Sequence, residues 1–103
     1  MRLGFALPNI GPVGTPESVS KVAQRAEALG FHSLWTIERL LYPVKPQTPY
    51  PATPDGLLPE PYKDGVLDPL EALTFAAAQT KTIALGTACW TSPITTRLCW
   101  RAG

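Results

Sequence analysis

"TPESVSKVAQRAEALGFHSLWTI" (15–37) decides the fold. Thr15 can accept from the backbone as an N-cap, and Pro16 suits the first helical position, where no N–H is needed. Glu17 sits at the positive end of the helix dipole. Val19, Val22, Ala23, Ala26 and Leu29 fall on one stripe. Gly30 supplies the left-handed residue that ends a helix. Leu34, Trp35, Thr36 and Ile37 then favour a strand, which is expected to span "HSLWTIERLL" (32–41). The loop between the two is very short, as in tightly wound α/β units.

Working outward, "RLGFALP" (2–8) is an apolar run stopped by Pro8 and is expected to be a buried strand. "NIGPVG" (9–14) is turn chemistry. "LDPLEALTFAAAQT" (67–80) predicts a second helix. Asp68 and Glu71 have capping-box spacing, Pro69 opens the helix, and Leu70, Leu73 and Ala77 form the expected core stripe. "TIALGTA" (82–88) predicts a third strand. Between them, seven of the chain's twelve prolines fall from Pro43 to Pro61. That density excludes a helix or a central strand, so residues 41–66 form an irregular or polyproline-like arm.

Strand–helix–strand–arm–helix–strand is two consecutive βαβ units, hence a parallel sheet with right-handed crossovers. Two large folds begin this way. A dinucleotide-binding domain wants G-x-G-x-x-G after its first strand, and "PNIGPVGTP" lacks that spacing. A (β/α)8 barrel needs no such fingerprint and carries its functional loops at the C-terminal ends of its strands, where the arm departs. The expectation is therefore α/β: the N-terminal βαβαβ portion of a (β/α)8 TIM barrel, incomplete at 103 residues against roughly 250 for the whole.

Composition narrows the function. The net charge of +1 gives no reason to expect nucleic acid or an acidic membrane surface as partner. No apolar run approaches a membrane span and no signal pattern opens the chain, so a cytoplasmic protein is expected. Cys89 and Cys99 have no CxxC spacing and no neighbouring His, which suggests neither a zinc site nor a redox pair; no metal is expected. His32 is the only histidine. It precedes the second strand, at the end away from any barrel chemistry, and is taken as an ordinary surface or semi-buried residue. Trp35, mid-strand, is expected in the core.

"MRLGFALPN", "AEALGFHSLWTIERLLYP", "PYPATPDG" and "LDPLEALTFAAAQTKTIALGTA" together resemble the opening of the luciferase-like monooxygenase family. The most similar branch is that of coenzyme F420-dependent oxidoreductases. The combination carries the likeness: G-F-x-S-L-W before a charged pair, a Pro/Tyr-rich arm, then L-D-P-L and an L-G-T strand, from Met1 to Ala88. The resemblance implies a TIM barrel, commonly a homodimer. It implies a reduced flavin (FMN) or deazaflavin (F420) at the C-terminal mouth, with hydride transfer or oxygen insertion on a small organic substrate. Carried onto this chain, the early cofactor contacts fall at Asn9, Thr87 and Ala88. Glu38 and Arg39 stand where many members have an acidic residue followed by His, and are the catalytic candidates. The His proton donor of that pattern is absent.

The ending, "ACWTSPITTRLCWRAG" (88–103), lacks both periodicity and the family's usual continuation, "VLDIPYxNPVLLAR". Cys89–Trp90 requires the codons TGY-TGG. Read two bases on, these force Leu and, with the AC of the Thr91 codon, Asp; Cys99–Trp100 likewise forces a second Leu. With free codon positions suitably filled, the shifted frame reads "LLDIPYNNPLVLARR". Residues 89–103 are accordingly expected to be out-of-frame translation on a domain spanning 1–88, a truncated enzyme inactive alone. Two alternatives stand beside this. The chain could be a non-functional pseudogene product. Alternatively, the PxxP steps Pro43 to Pro46 and Pro46 to Pro49 could make the arm a ligand for peptide-binding domains.

Overall fold

In a computed structural model, the structure describes residues 1–39, 42–63 and 67–89. The elements run β1 (Gly4–Ala6), a 3-10 turn (Gly11–Val13), α1 (Pro16–Ala28), β2 (Ser33–Ile37), a second 3-10 turn (Glu60–Tyr62), α2 (Pro69–Gln79) and β3 (Ala84–Cys89). The sheet is parallel throughout, in the order β1-β2-β3. The expected α/β class and element order are therefore present.

The helix ends form as their residues dictate. Thr15 Oγ1 accepts from the Ser18 N–H at 3.2 Å. At the other end Gly30 takes φ +84°. Its N–H donates to Glu27 O and the Phe31 N–H to Ala26 O, at 3.1 and 3.0 Å. That is the paired closure in which a left-handed glycine lets the chain turn back on the last helical carbonyls. Asp68 Oδ1 accepts from the N–H groups of Leu70 and Glu71 at 2.9 and 3.0 Å. Only this half of the capping box forms; Glu71 makes no return bond among the described residues.

All three strands are narrower than, or offset from, their sequence spans. β1 keeps three residues, although Leu3 O and the Leu7 N–H still bond to His32 and Trp35 on either side of them. β2 closes at Ile37 rather than running on to residue 41. β3 starts two residues late, because Thr82 and Ile83 are held by another element.

That element is Glu27. Its carboxylate, on the last turn of α1, accepts from the backbone N–H groups of Lys81, Thr82 and Ile83 at 2.7–3.1 Å. These bonds lower its pKa to about 2, with Thr82 the largest contributor. One carboxylate thus joins α1 to the loop that feeds β3, at the N-terminal end of the sheet.

The core lies between the two helices and one face of the sheet. Leu7, Leu34 and Ile83 meet Val19, Ala23 and Ala26 of α1 and Ala72, Leu73 and Ala76 of α2. In α2 the buried stripe is therefore Pro69, Ala72, Leu73 and Ala76. Of the expected stripe only Leu73 is buried; Leu70 and Ala77 are exposed. The helix is apolar on nearly every side, so its periodicity does not point to the buried face, and the small alanines are what allow α2 to approach α1.

The other sheet face carries Gly4, Ala6, Ser33, Trp35, Ile37, Ala84 and Gly86, and no described helix covers it. Trp35 lies there, 45% exposed, instead of in the core. Its indole Nε1 donates to Ser33 Oγ at 2.8 Å. Both faces of a parallel strand are apolar, which is why the sequence assigns such a residue to the interior without saying which interior.

Candidate active site at the C-terminal ends of the strands

Parallel strands deliver their C-terminal ends to one rim, and Asn9, Glu38, Arg39, Thr87 and Ala88 all fall on it. Asn9 follows β1 and is 2% exposed. Its Nδ2 donates to Ile37 O at 2.7 Å and to Leu67 O at 3.3 Å. The Leu67 N–H donates back to Asn9 O at 2.8 Å. One buried amide thus ties the ends of β1 and β2 to the entry of α2.

On β3 the register slips. Thr36 pairs with Thr87, but Ile37 pairs with Cys89. Ala88 is left without a partner on β2, as a bulge, and is exposed. Bulges re-aim the chain and are common beside active sites. Thr87 and Glu38 are half-buried. Thr36, on the helix-facing side, is 1% exposed, and its Oγ1 has no partner among the described residues.

Arg39 points into the arm. Its guanidinium carbon stands 4.8 Å from the centroid of the Tyr62 ring. The arm returns to the rim beside this pair: a Cβ on Gly11 would stand 2.6 Å from the Pro61 carbonyl oxygen, and Gly11 has φ +62°. Only glycine permits that approach of the β1–α1 turn to the arm. Between Arg39 and the arm lies a concavity of about 590 Å³ lined by Tyr42, Tyr50, Asp55, Glu60 and Lys63 among others. The Leu57 N–H, and after it the Thr53 hydroxyl, holds the Asp55 carboxyl below its usual range.

The structure therefore groups the sequence candidates in two places: Asn9 with the β2 end, and Arg39 with the arm. Sequence reasoning missed Glu27, Tyr62 and Gly11. Tyr62 and Gly11 had only the local signals of an aromatic next to proline and a glycine before proline. His32 is exposed before β2, at the opposite end of the sheet. Among the described residues no group of three or more His, Cys, Asp or Glu could hold a metal ion, and no helix is long and apolar enough to cross a membrane. The residues of the unusual ending beyond Cys89 lie outside the described residues.

A parallel sheet with helices on one side and a rim of polar residues at the strand ends is the class of scaffold on which many α/β enzymes place their chemistry. The chain matches the luciferase-like monooxygenase family over residues 1–97, and it belongs to that family. The match continues past Ala88, where the resemblance by inspection breaks off. No curated protein and no solved structure matched the chain.

Proposed function

We propose that residues 1–88 are the first βαβαβ portion of a (β/α)8 barrel that uses FMN or coenzyme F420 to oxidise or reduce a small organic substrate. The family match carries this reading. The uncovered sheet face supports it: Gly4, Ala6, Ala84 and Gly86 leave room there for the large ring of Trp35, a pairing of small and large residues of the kind that fills barrel interiors.

A flat ring system would lie at the rim. The exposed bulge at Ala88 offers backbone without a competing strand partner, with Thr87 beside it. These two residues would hold the ring, and Asn9 would fix the neighbouring strand ends. When bound, the cofactor supplies the hydride or oxygen chemistry. The chain's own residues orient and shield. Asn9 fixes the spacing of two strand ends, and the arm, anchored at Gly11 and Tyr62, limits the access of water. Glu38 and Arg39, just beyond the end of β2, would face the substrate. With no His following Glu38, a proton would have to come from elsewhere.

Cofactor affinity requires strands beyond the three described here, because β1 and β3 each leave an unpaired edge among the described residues and the Trp35 face has no cover. The test is a fluorescence titration of FMN and F420 with residues 1–103, alone and after mixing with a polypeptide carrying the remaining strands of a family barrel. Binding in the mixture alone supports the proposal. A reassembled barrel that binds neither cofactor opposes it.

We also propose that residues 89–103 are translated out of frame. The forced Leu-Asp and second Leu of the shifted frame support this. The coding DNA tests it: codons 88–100 read in the second frame should give the family-like peptide, and any other peptide rules it out.

A further inference from the structure

We propose that the concavity between Arg39 and the proline-rich arm binds a carboxylate or phosphate group, with the Arg39 guanidinium as its anchor. The inference stands on the geometry of the arm. Only the assignment of that anion to the substrate or cofactor of a luciferase-like enzyme rests on the function proposed above.

The guanidinium carbon of Arg39 stands over the Tyr62 ring, 4.8 Å from its centroid, a cation–π contact that holds the group against the arm. Nε is buried and has no hydrogen-bond partner. Arg39 makes no hydrogen bond or ion pair with any described residue. A buried donor of this kind wants an acceptor. Nε together with one terminal nitrogen is the edge that grips two oxygens of a carboxylate or phosphate side by side.

The surroundings are mixed in charge. Arg39 and Lys63 line the concavity, and so do Asp55 and Glu60. No ion pair joins either cation to either carboxylate among the described residues. Asp55 is already engaged by the Leu57 N–H at 3.0 Å. The Arg39 edge is thus left for a ligand. The place is apt, because Arg39 lies two residues beyond the end of β2 on the rim.

The test is NMR titration of the full chain with inorganic phosphate and, separately, benzoate, against chloride at matched ionic strength. The Arg39 Nε–Hε signal and the Tyr62 and Lys63 amides are followed. The expected result is a saturable shift with a midpoint of roughly 1–10 mM for at least one of the two anions and none for chloride. Phosphate binding more tightly assigns a phosphorylated group, and benzoate binding more tightly a carboxylate. In Arg39→Gln the shifts of Tyr62 and Lys63 should vanish. Tyr62→Leu keeps the charge but not its platform, and should weaken binding several-fold. Signals from β2 and β3 report whether each variant still folds. If Arg39→Gln loses them, Arg39→Lys, which keeps the charge but not the fork, serves instead and should also bind more weakly. No saturable shift with either anion, or shifts unchanged in these variants, would overturn the site. Neither result depends on flavin binding, so the site can fail while the family function stands.

Discussion

The indole of Trp35 lies over Gly86, its register partner on β3: a Cβ on Gly86 would stand 2.8 Å from Cζ3. On the other side, a Cβ on Gly4 would stand 2.7 Å from Nε1. One ring therefore spans three strands across two side-chain-free positions. Alanine inside a strand ordinarily gains over glycine by about 0.5–1 kcal/mol. Here the forced shift of the ring outweighs that gain, and Gly86→Ala should destabilise by about 1 kcal/mol in urea unfolding. In a Trp35→Ala background the same change should become neutral or stabilising. A stabilising Gly86→Ala in the unaltered chain would show that the ring is not seated there.

Asn9→Ala leaves the carbonyls of Ile37 and Leu67 without their donor at a buried position. The expected loss is about 1–3 kcal/mol of unfolding free energy. Asn9→Asp cannot donate and sets a carboxylate against two carbonyls, so it should cost at least as much. A change within about 0.5 kcal/mol, typical of ordinary surface positions, would contradict the role given to this amide.

Glu27 gives the chain a pH dependence with a defined sign. Its folded pKa is lowered from 4.5 to about 2. The carboxylate's contribution is therefore complete above the unfolded value and is lost as pH falls towards about 2. Unfolding midpoints of the native chain and Glu27→Gln should differ fully at neutral pH and converge as the pH drops through this window. A gap that stays constant into acid would mean that the charge on Glu27 is not what closes the loop before β3.

What the sequence makes legible is local. Thr15, Pro16, Gly30 and Asp68 act within a few residues of themselves, and all four helix-end readings appear in the structure. Long-range pairings are not legible. Glu27 meets partners 54 to 56 residues away. Arg39 meets Tyr62 across an arm with no period, and the stripe of α2 is hidden by alanines. Of the candidate site, the rim positions follow from strand order alone. The bonds of Asn9, the bulge at Ala88 and the cation–π contact of Arg39 do not, because each depends on where a second segment comes to rest.

The most direct measurement concerns the face that bears Trp35. With Trp90→Phe and Trp100→Phe, Trp35 is the only emitter, and its fluorescence is recorded with FMN or F420 for the chain alone and with the remaining barrel strands supplied. Alone, a solvent-exposed spectrum and no saturable cofactor quenching are predicted. With the barrel completed, the emission should move to the blue and cofactor binding should saturate. A blue-shifted Trp35 with saturable binding in the chain by itself would contradict the central claim that this face is one wall of a pocket closed by further strands.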